Sequence, residues 1–85
     1  MIKHADFIII GAAILDVLVQ PVTSEVFSKG SVPAEHIAMH TGGDALNEAG
    51  VLAKLGASVR LVGKVGKDKA GNFIQGYCKN IKIDT

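Results

Sequence analysis

The stretch from Thr41 to Gly71 limits the fold more than any other part of the chain. It opens on two adjacent glycines, Gly42 and Gly43, and continues through a run of small residues into a β-branched segment. Gly63, Gly66 and Gly71 then space out around Asp68. From Ala45 to Leu55 the residues Leu46, Ala49, Gly50 and Ala53 recur at i, i+3, i+4 and i+7, which predicts an amphipathic helix. Nearly all of that stripe is small, so the helix can lie close against a sheet. Gly56 is placed to end it in the left-handed conformation common past helix C-termini. Val59 to Val65, with Leu61 and Val62, reads as a strand. Asp68 then caps a second helix in which Phe73, Ile74, Tyr77 and Cys78 repeat at helical spacing. Ile81 and Ile83 begin a further alternating strand that stops at Thr85 with its edge unpaired.

Upstream, Phe7 to Ile10 is a continuous apolar run of the kind found in a parallel strand buried on both faces. The wider run to Val19 is not a leader or a membrane span. Asp6 and Asp16 bracket and interrupt it, no small-x-small cleavage site follows, and it is too short to cross a bilayer. Ala12 to Val19 is compatible with helix or strand. Pro21, Ser28, Gly30 and Pro33 punctuate the next segment, so two short strands with a loop between them fit best. Residues 34–40 alternate, with Ile37 and Met39 on one face and His36, Ala38 and His40 on the other. The order strand, helix, strand, helix, strand predicts a parallel α/β sheet with right-handed crossovers. Ligands in such sheets sit at the carboxyl ends of the strands, which Gly11 and Gly63 mark here.

A chain of 85 residues buries only about two thirds of its unfolded surface, which is marginal for independent folding. The single cysteine, Cys78, excludes an internal disulfide and fits a reducing, cytoplasmic setting, and no Cys/His cluster has metal-ligand spacing. Cys78 itself reads as core, because no base or cation stands near it in sequence. The net charge of +1, with acids and bases interspersed, offers no field for nucleic acid or a membrane surface. Three phosphate or nucleic-acid motifs fail on inspection. Gly66-Lys67 resembles the end of a P-loop, but Asp68 replaces the hydroxyl residue and Leu61 stands where the first glycine belongs. Gly63-Lys64-Val65-Gly66 has the form of a KH loop without the preceding helix or a basic field. Ala13 stands where a dinucleotide fingerprint needs glycine.

Five residues are candidates for ligand contact. Asp16 interrupts an apolar run, where a carboxylate needs a partner to offset its desolvation. It either accepts from two vicinal hydroxyls at once or bonds its own backbone in a loop. Gly42 and Gly43 allow a ligand to approach the backbone or simply form a tight turn. Asn47 lies on the first turn of the helix that the glycines open and can face a bound molecule or bond locally. Asp44 either meets another hydroxyl or caps the helix, where the dipole favours an anion. Beside the glycines, His40 is within reach of a ligand, although a histidine on a half-buried strand is more often structural. His4 and His36 read as surface or interface positions.

The spacing of Gly42, Gly43, Asn47, Ala49, Gly56, Gly63, Gly66, Asp68 and Gly71, with the step Asp68-Lys69-Ala70-Gly71, resembles the N-terminal signature of the ribokinase-like (PfkB) carbohydrate kinases. The match covers most of the chain. The family's second signature, a Gly-Ala-Gly-Asp turn carrying the catalytic base, has no counterpart here. The resemblance therefore implies the incomplete N-terminal part, residues 1–85, of one ribokinase-like α/β domain: a parallel sheet with flanking helices plus a small projecting β lid at residues 14–41. It implies ATP-dependent phosphorylation of a sugar hydroxyl by the parent enzyme, with Mg²⁺, and with no catalytic residue in this segment. Substrate contacts fall on Asp16, Gly42, Gly43 and Asn47, and the ATP and Mg²⁺ sites fall outside it. In several members the lids of two subunits pack together, so a homodimer through an apolar lid face is expected. Two positions depart from the pattern. Ile14 stands where relatives often have Asn, and Asp44 where Lys, Ala or Ser is common. Facing the ligand, Asp44 would repel a substrate already phosphorylated nearby, favouring an unphosphorylated sugar or a nucleoside. The other readings are a non-catalytic sugar-binding or subunit-association fragment and, among kinases, an adenosine kinase; the scarcity of aromatic residues to sandwich a purine counts against the latter.

Overall fold

A computed structural model of the chain describes residues 4–85. Its elements, in chain order, are β1 (Phe7–Ile10), β2 (Ile14–Gln20), a 3₁₀ turn (Ser24–Phe27), β3 (His36–Gly42), α1 (Asp44–Lys54), β4 (Val59–Val62) and α2 (Lys69–Asn80). They form two sheets. β1 and β4 pair in parallel with Phe7 opposite Val59 and Ile10 opposite Val62, while β2 and β3 form an antiparallel hairpin.

The parallel pair is tied at both ends. At its start, the Ser58 N–H donates to Asp6 Oδ2 at 3.0 Å and the Asp6 N–H donates to the Ser58 carbonyl at 2.8 Å. At its finish, the Gly11 N–H donates to the Val62 carbonyl at 3.1 Å, and a Cβ on Gly63 would lie 2.8 Å from the Gly11 carbonyl oxygen. β4 ends at Val62 instead of Val65, although Val65 still packs on the core.

The order of strands extends past β4. Leu61 N–H donates to the Asp84 carbonyl at 2.8 Å and Asp84 N–H to the Val59 carbonyl at 3.0 Å, a parallel bridge between Arg60 and Asp84. The Arg60 guanidinium closes on Asp84 Oδ2 at 2.7 Å. Ile81 is not yet strand. It caps α2, and Lys82 turns the chain with a φ of 62° before Ile83 enters the core.

One buried cluster joins Ala45, Leu46 and Ala49 of α1, Val59 and Leu61 of β4, Ile74 and Cys78 of α2, and Ile83. Both helices therefore cover the same face of the sheet. Gly50 lies where they approach: a Cβ there would lie 3.2 Å from the Tyr77 hydroxyl. Ile9 packs on this face, but Ile8 and Ile10, on the opposite one, are 57% and 76% exposed. The expectation that Phe7–Ile10 is buried on both faces is thus half right. It is a parallel strand, yet no described element covers its second face, and burial of such a strand needs a layer on each side.

The hairpin stands away from this core. The radius of gyration is 16.3 Å and the extents are 54 × 27 × 19 Å, against about 12 Å for a compact domain of this length. Within the hairpin, Leu15, Val17, Val19, Ile37 and Met39 share one face, and Asp16 and His40 share the other. Leu15 reaches the core, whereas Ile37 and Met39 are 70% and 54% exposed.

Candidate functional site

The chain leaves β1 through Gly11, Ala12 and Ala13, climbs the hairpin, and returns along β3 directly into α1. The helix start is therefore pinned against the loop after β1. Gly43 holds it there. Its φ of 91° and ψ of 141° suit only glycine, and a Cβ would lie 2.6 Å from the Ala12 carbonyl oxygen. The same carbonyl accepts from the Leu46 N–H at 3.2 Å, satisfying one of the donors a helix start leaves open.

Gly42 is needed for a different reason. Its backbone is not left-handed, but the position a Cβ would take is filled by the Asp16 carboxylate, with Asp16 Oδ2 the nearest atom. Asp16 sits on β2 opposite His40, and Gly42 lies two residues beyond His40 on the same face. The hairpin thus brings Asp16 from the far strand onto the glycine pair. Asp16 is exposed, and its carboxylate has no hydrogen-bond or ion-pair partner among the described residues. The backbone-bonded loop aspartate that the sequence left open is not what forms, because Asp16 is mid-strand.

Asn47 lies one turn into α1, its N–H donating to the Gly43 carbonyl at 2.9 Å, with an exposed side chain. Asp44 is the first helical residue. The cap position belongs to Gly43, and no side chain caps α1. The capping role open to Asp44 is therefore not made, since the cap must have non-helical dihedrals and Gly43 has taken them. An acid in the first turn still suits the helix dipole.

The second glycine cluster is self-contained. Asp68 Oδ1 accepts from the Gly71 N–H at 2.8 Å, Gly66 passes beside the same carboxylate, and a Cβ on Gly71 would run into the Gly66 carbonyl. These groups build the entry to α2 and hold one another. Cys78 is buried, and desolvation pushes its thiol above the ordinary value, so it stays protonated at neutral pH.

A cavity of ≈ 480 Å³ opens past the carboxyl end of β4, lined by Ala13, Gly63, Val65, Ile74, Cys78 and Thr85 among others. None of the five candidate residues lines it. Among the described residues no three His, Cys, Asp or Glu side chains form a group that could hold a metal. Ala12 is the contributor that sequence reasoning missed; the only signal for it was the run of small residues after β1.

Two parallel crossovers on one face, a projecting antiparallel hairpin and an aspartate delivered onto a glycine pair at a helix start define a ribokinase-like α/β unit. Residues 5–85 match the family described as pfkB family carbohydrate kinase. The chain belongs to that family. It is 33% identical over 82 residues to the bifunctional protein HldE of Actinobacillus succinogenes, covering 94% of this chain and 17% of that protein. It is 44% identical over 46 residues to 5-dehydro-2-deoxygluconokinase of Clostridium beijerinckii, covering 54% and 14%. Among solved structures, fructokinase from Xylella fastidiosa superposes with a TM-score of 0.73 at 29% identity, covering 89% of this chain and 22% of that one. The same fructokinase has also been solved with bound ATP. The chain thus spans less than a quarter of each of these three proteins.

Proposed function

We propose that the protein carrying this chain phosphorylates a hydroxyl of a sugar with ATP, and that this segment binds and orients the acceptor. The observation that carries the reading is Asp16. An exposed carboxylate with no partner among the described residues rests on a glycine whose missing Cβ makes room for it. A carboxylate has about four acceptor sites and no donor, which suits two neighbouring hydroxyl groups. Gly42 and Gly43 leave the backbone open beside it, Asn47 offers an amide one turn on, and Asp44 adds a second acceptor at the helix start.

The hairpin over residues 14–41 then acts as a lid, holding the sugar in one orientation and limiting water access while transfer occurs. Charge stabilisation of the transferring phosphoryl group falls to the nucleotide and Mg²⁺, whose sites we place outside these 85 residues. The names of the matched proteins, a fructokinase and a 5-dehydro-2-deoxygluconokinase, support a sugar or keto sugar acid over a nucleoside. The exposed Val17, Val19, Ile37 and Met39 face is the surface through which a second copy would pack, since contiguous apolar area of this kind marks an interface. A cytoplasmic setting belongs to the same reading.

The test is steady-state kinetics of Asp16→Ala in the protein carrying the chain. KM for the sugar rises and kcat/KM falls by at least about tenfold, as expected for loss of hydrogen bonds to a charged group. ATP binding stays nearly intact, and Asn47→Ala acts in the same direction less severely. An unchanged kcat/KM for Asp16→Ala would sink the assignment.

A further inference from the structure

His40 is the direct cross-strand partner of Asp16. Residues opposed in an antiparallel ladder share a face, with Cβ atoms about 4.5–5.5 Å apart. That face is identified independently by Gly42, which follows His40 by two residues and lies under the Asp16 carboxylate. The imidazole therefore projects from the same face of the hairpin as the carboxylate, near the mouth of α1. Both side chains are exposed, and His40, like Asp16, has no hydrogen-bond or ion-pair partner among the described residues.

The pairing has a chemical consequence. Asp16 and Asp44 only accept hydrogen bonds, whereas each sugar hydroxyl both donates and accepts, and a carbonyl or ring oxygen only accepts. Asn47 brings an amide donor from α1, but on the hairpin side of the site Asp16 only accepts, and a donor there must come from the residue facing it across the ladder. A neutral imidazole supplies one N–H donor and keeps one acceptor nitrogen. Farther out on the same face come the pairs Leu18 with Ala38 and Gln20 with His36. His36 lies four residues up the strand, about 13 Å away, beyond what one monosaccharide held at Asp16 would span.

We propose that His40 is a specificity-determining contact of the acceptor site, its imidazole N–H donating to the sugar oxygen adjacent to the hydroxyls that Asp16 holds. The site then selects a sugar bearing oxygen at that carbon over the analogue deoxygenated there. This rests on the sugar-kinase reading and adds to it the source of discrimination.

The experiment uses the protein carrying the chain and a panel of ketoses, aldoses and keto sugar acids. For the sugar turned over fastest, kcat/KM is measured with it and with each of its monodeoxy analogues. The proteins compared are the unsubstituted one, His40→Ala, His40→Asn, His36→Ala and Asp16→Ala. The expected result is that His40→Ala lowers kcat/KM for the sugar about tenfold and leaves one deoxy analogue within about twofold, so that discrimination at one carbon collapses. His40→Asn, which keeps an amide donor, recovers part of it, and His36→Ala behaves as the unsubstituted protein. Equal losses for the sugar and every analogue, or no loss, would overturn the contact while Asp16→Ala still impairs all substrates. If Asp16→Ala is also without effect, or no sugar of the panel is phosphorylated, the sugar-kinase reading fails and the contact with it.

Discussion

Gly42 and Gly43 are adjacent and chemically identical, yet the structure assigns them different jobs, and alanine substitutions separate those jobs. At Gly43 an alanine must hold a φ of 91° and place its Cβ 2.6 Å from the Ala12 carbonyl oxygen. Backbone held in such a region costs about 1–3 kcal/mol in a residue with a Cβ. Relief requires Ala12 to move, which gives up the 3.2 Å bond from the Leu46 N–H, worth about 1 kcal/mol. Less conformational freedom in the unfolded chain offsets about 0.4–1 kcal/mol, so Gly43→Ala should destabilise by about 1–3.5 kcal/mol. At Gly42 the obstacle is only the end of the Asp16 side chain, which can rotate away. Gly42→Ala should therefore leave stability within about 1 kcal/mol. Under the proposed acceptor role of Asp16 its cost appears in the site instead, where displacing the carboxylate should raise KM for the sugar about tenfold. Urea denaturation of the two variants, with sugar kinetics at a fixed ATP concentration, reads both effects. Equal midpoints for the two proteins, or a Gly43→Ala midpoint matching the unsubstituted protein, would refute the reasoning.

The second helix gives two further expected outcomes. Asp68→Ala removes the side-chain acceptor of the Gly71 N–H and should cost about 1 kcal/mol in the same denaturation, with kcat/KM for the sugar unchanged because this turn faces itself and not the ligand. Cys78, buried and with its thiol raised by desolvation, should react with a thiol reagent only slowly until denaturant is added. The same shift sets the sign of the pH dependence. The folded thiol keeps its proton above the value at which the unfolded thiol, near 8.5, releases it. Stability is therefore unaffected below about pH 8 and falls as pH rises past that point; Cys78→Ser should flatten this dependence.

Local chemistry was legible in the chain wherever a single element decided it. The helical stripe Leu46, Ala49, Gly50 and Ala53, the left-handed Gly56, the Asp68 cap and the core position of Cys78 all depend on spacing within a few residues of one another. So did the alternation of residues 34–40, since a strand has a period of two whatever it pairs with. The family's spacing of glycines around Asn47 and Asp68 was equally visible as a pattern, although only Gly66 and Gly71 answer to a group close by in sequence, the Asp68 carboxylate.

What the sequence could not show depends on residues distant along the chain. Nothing in the order of residues 11–20 says that Asp16 will settle on Gly42, because that contact is set by the register of two strands joined across a long loop. The same register makes His40 the neighbour of Asp16. Gly43, not Asp44, caps α1 because the Ala12 carbonyl, thirty-odd residues earlier, occupies the space above it. β1 carries the composition of a strand buried twice over, yet is covered once, because composition records what a surface would bury and only packing decides what arrives to bury it. By itself, then, the sequence determined the two helices, the Gly56 and Asp68 boundaries beside them, and the alternation along the strand before Gly42. Tertiary structure decided which of the candidate residues stand together, since register and the meeting of loops are long-range facts that no local period encodes.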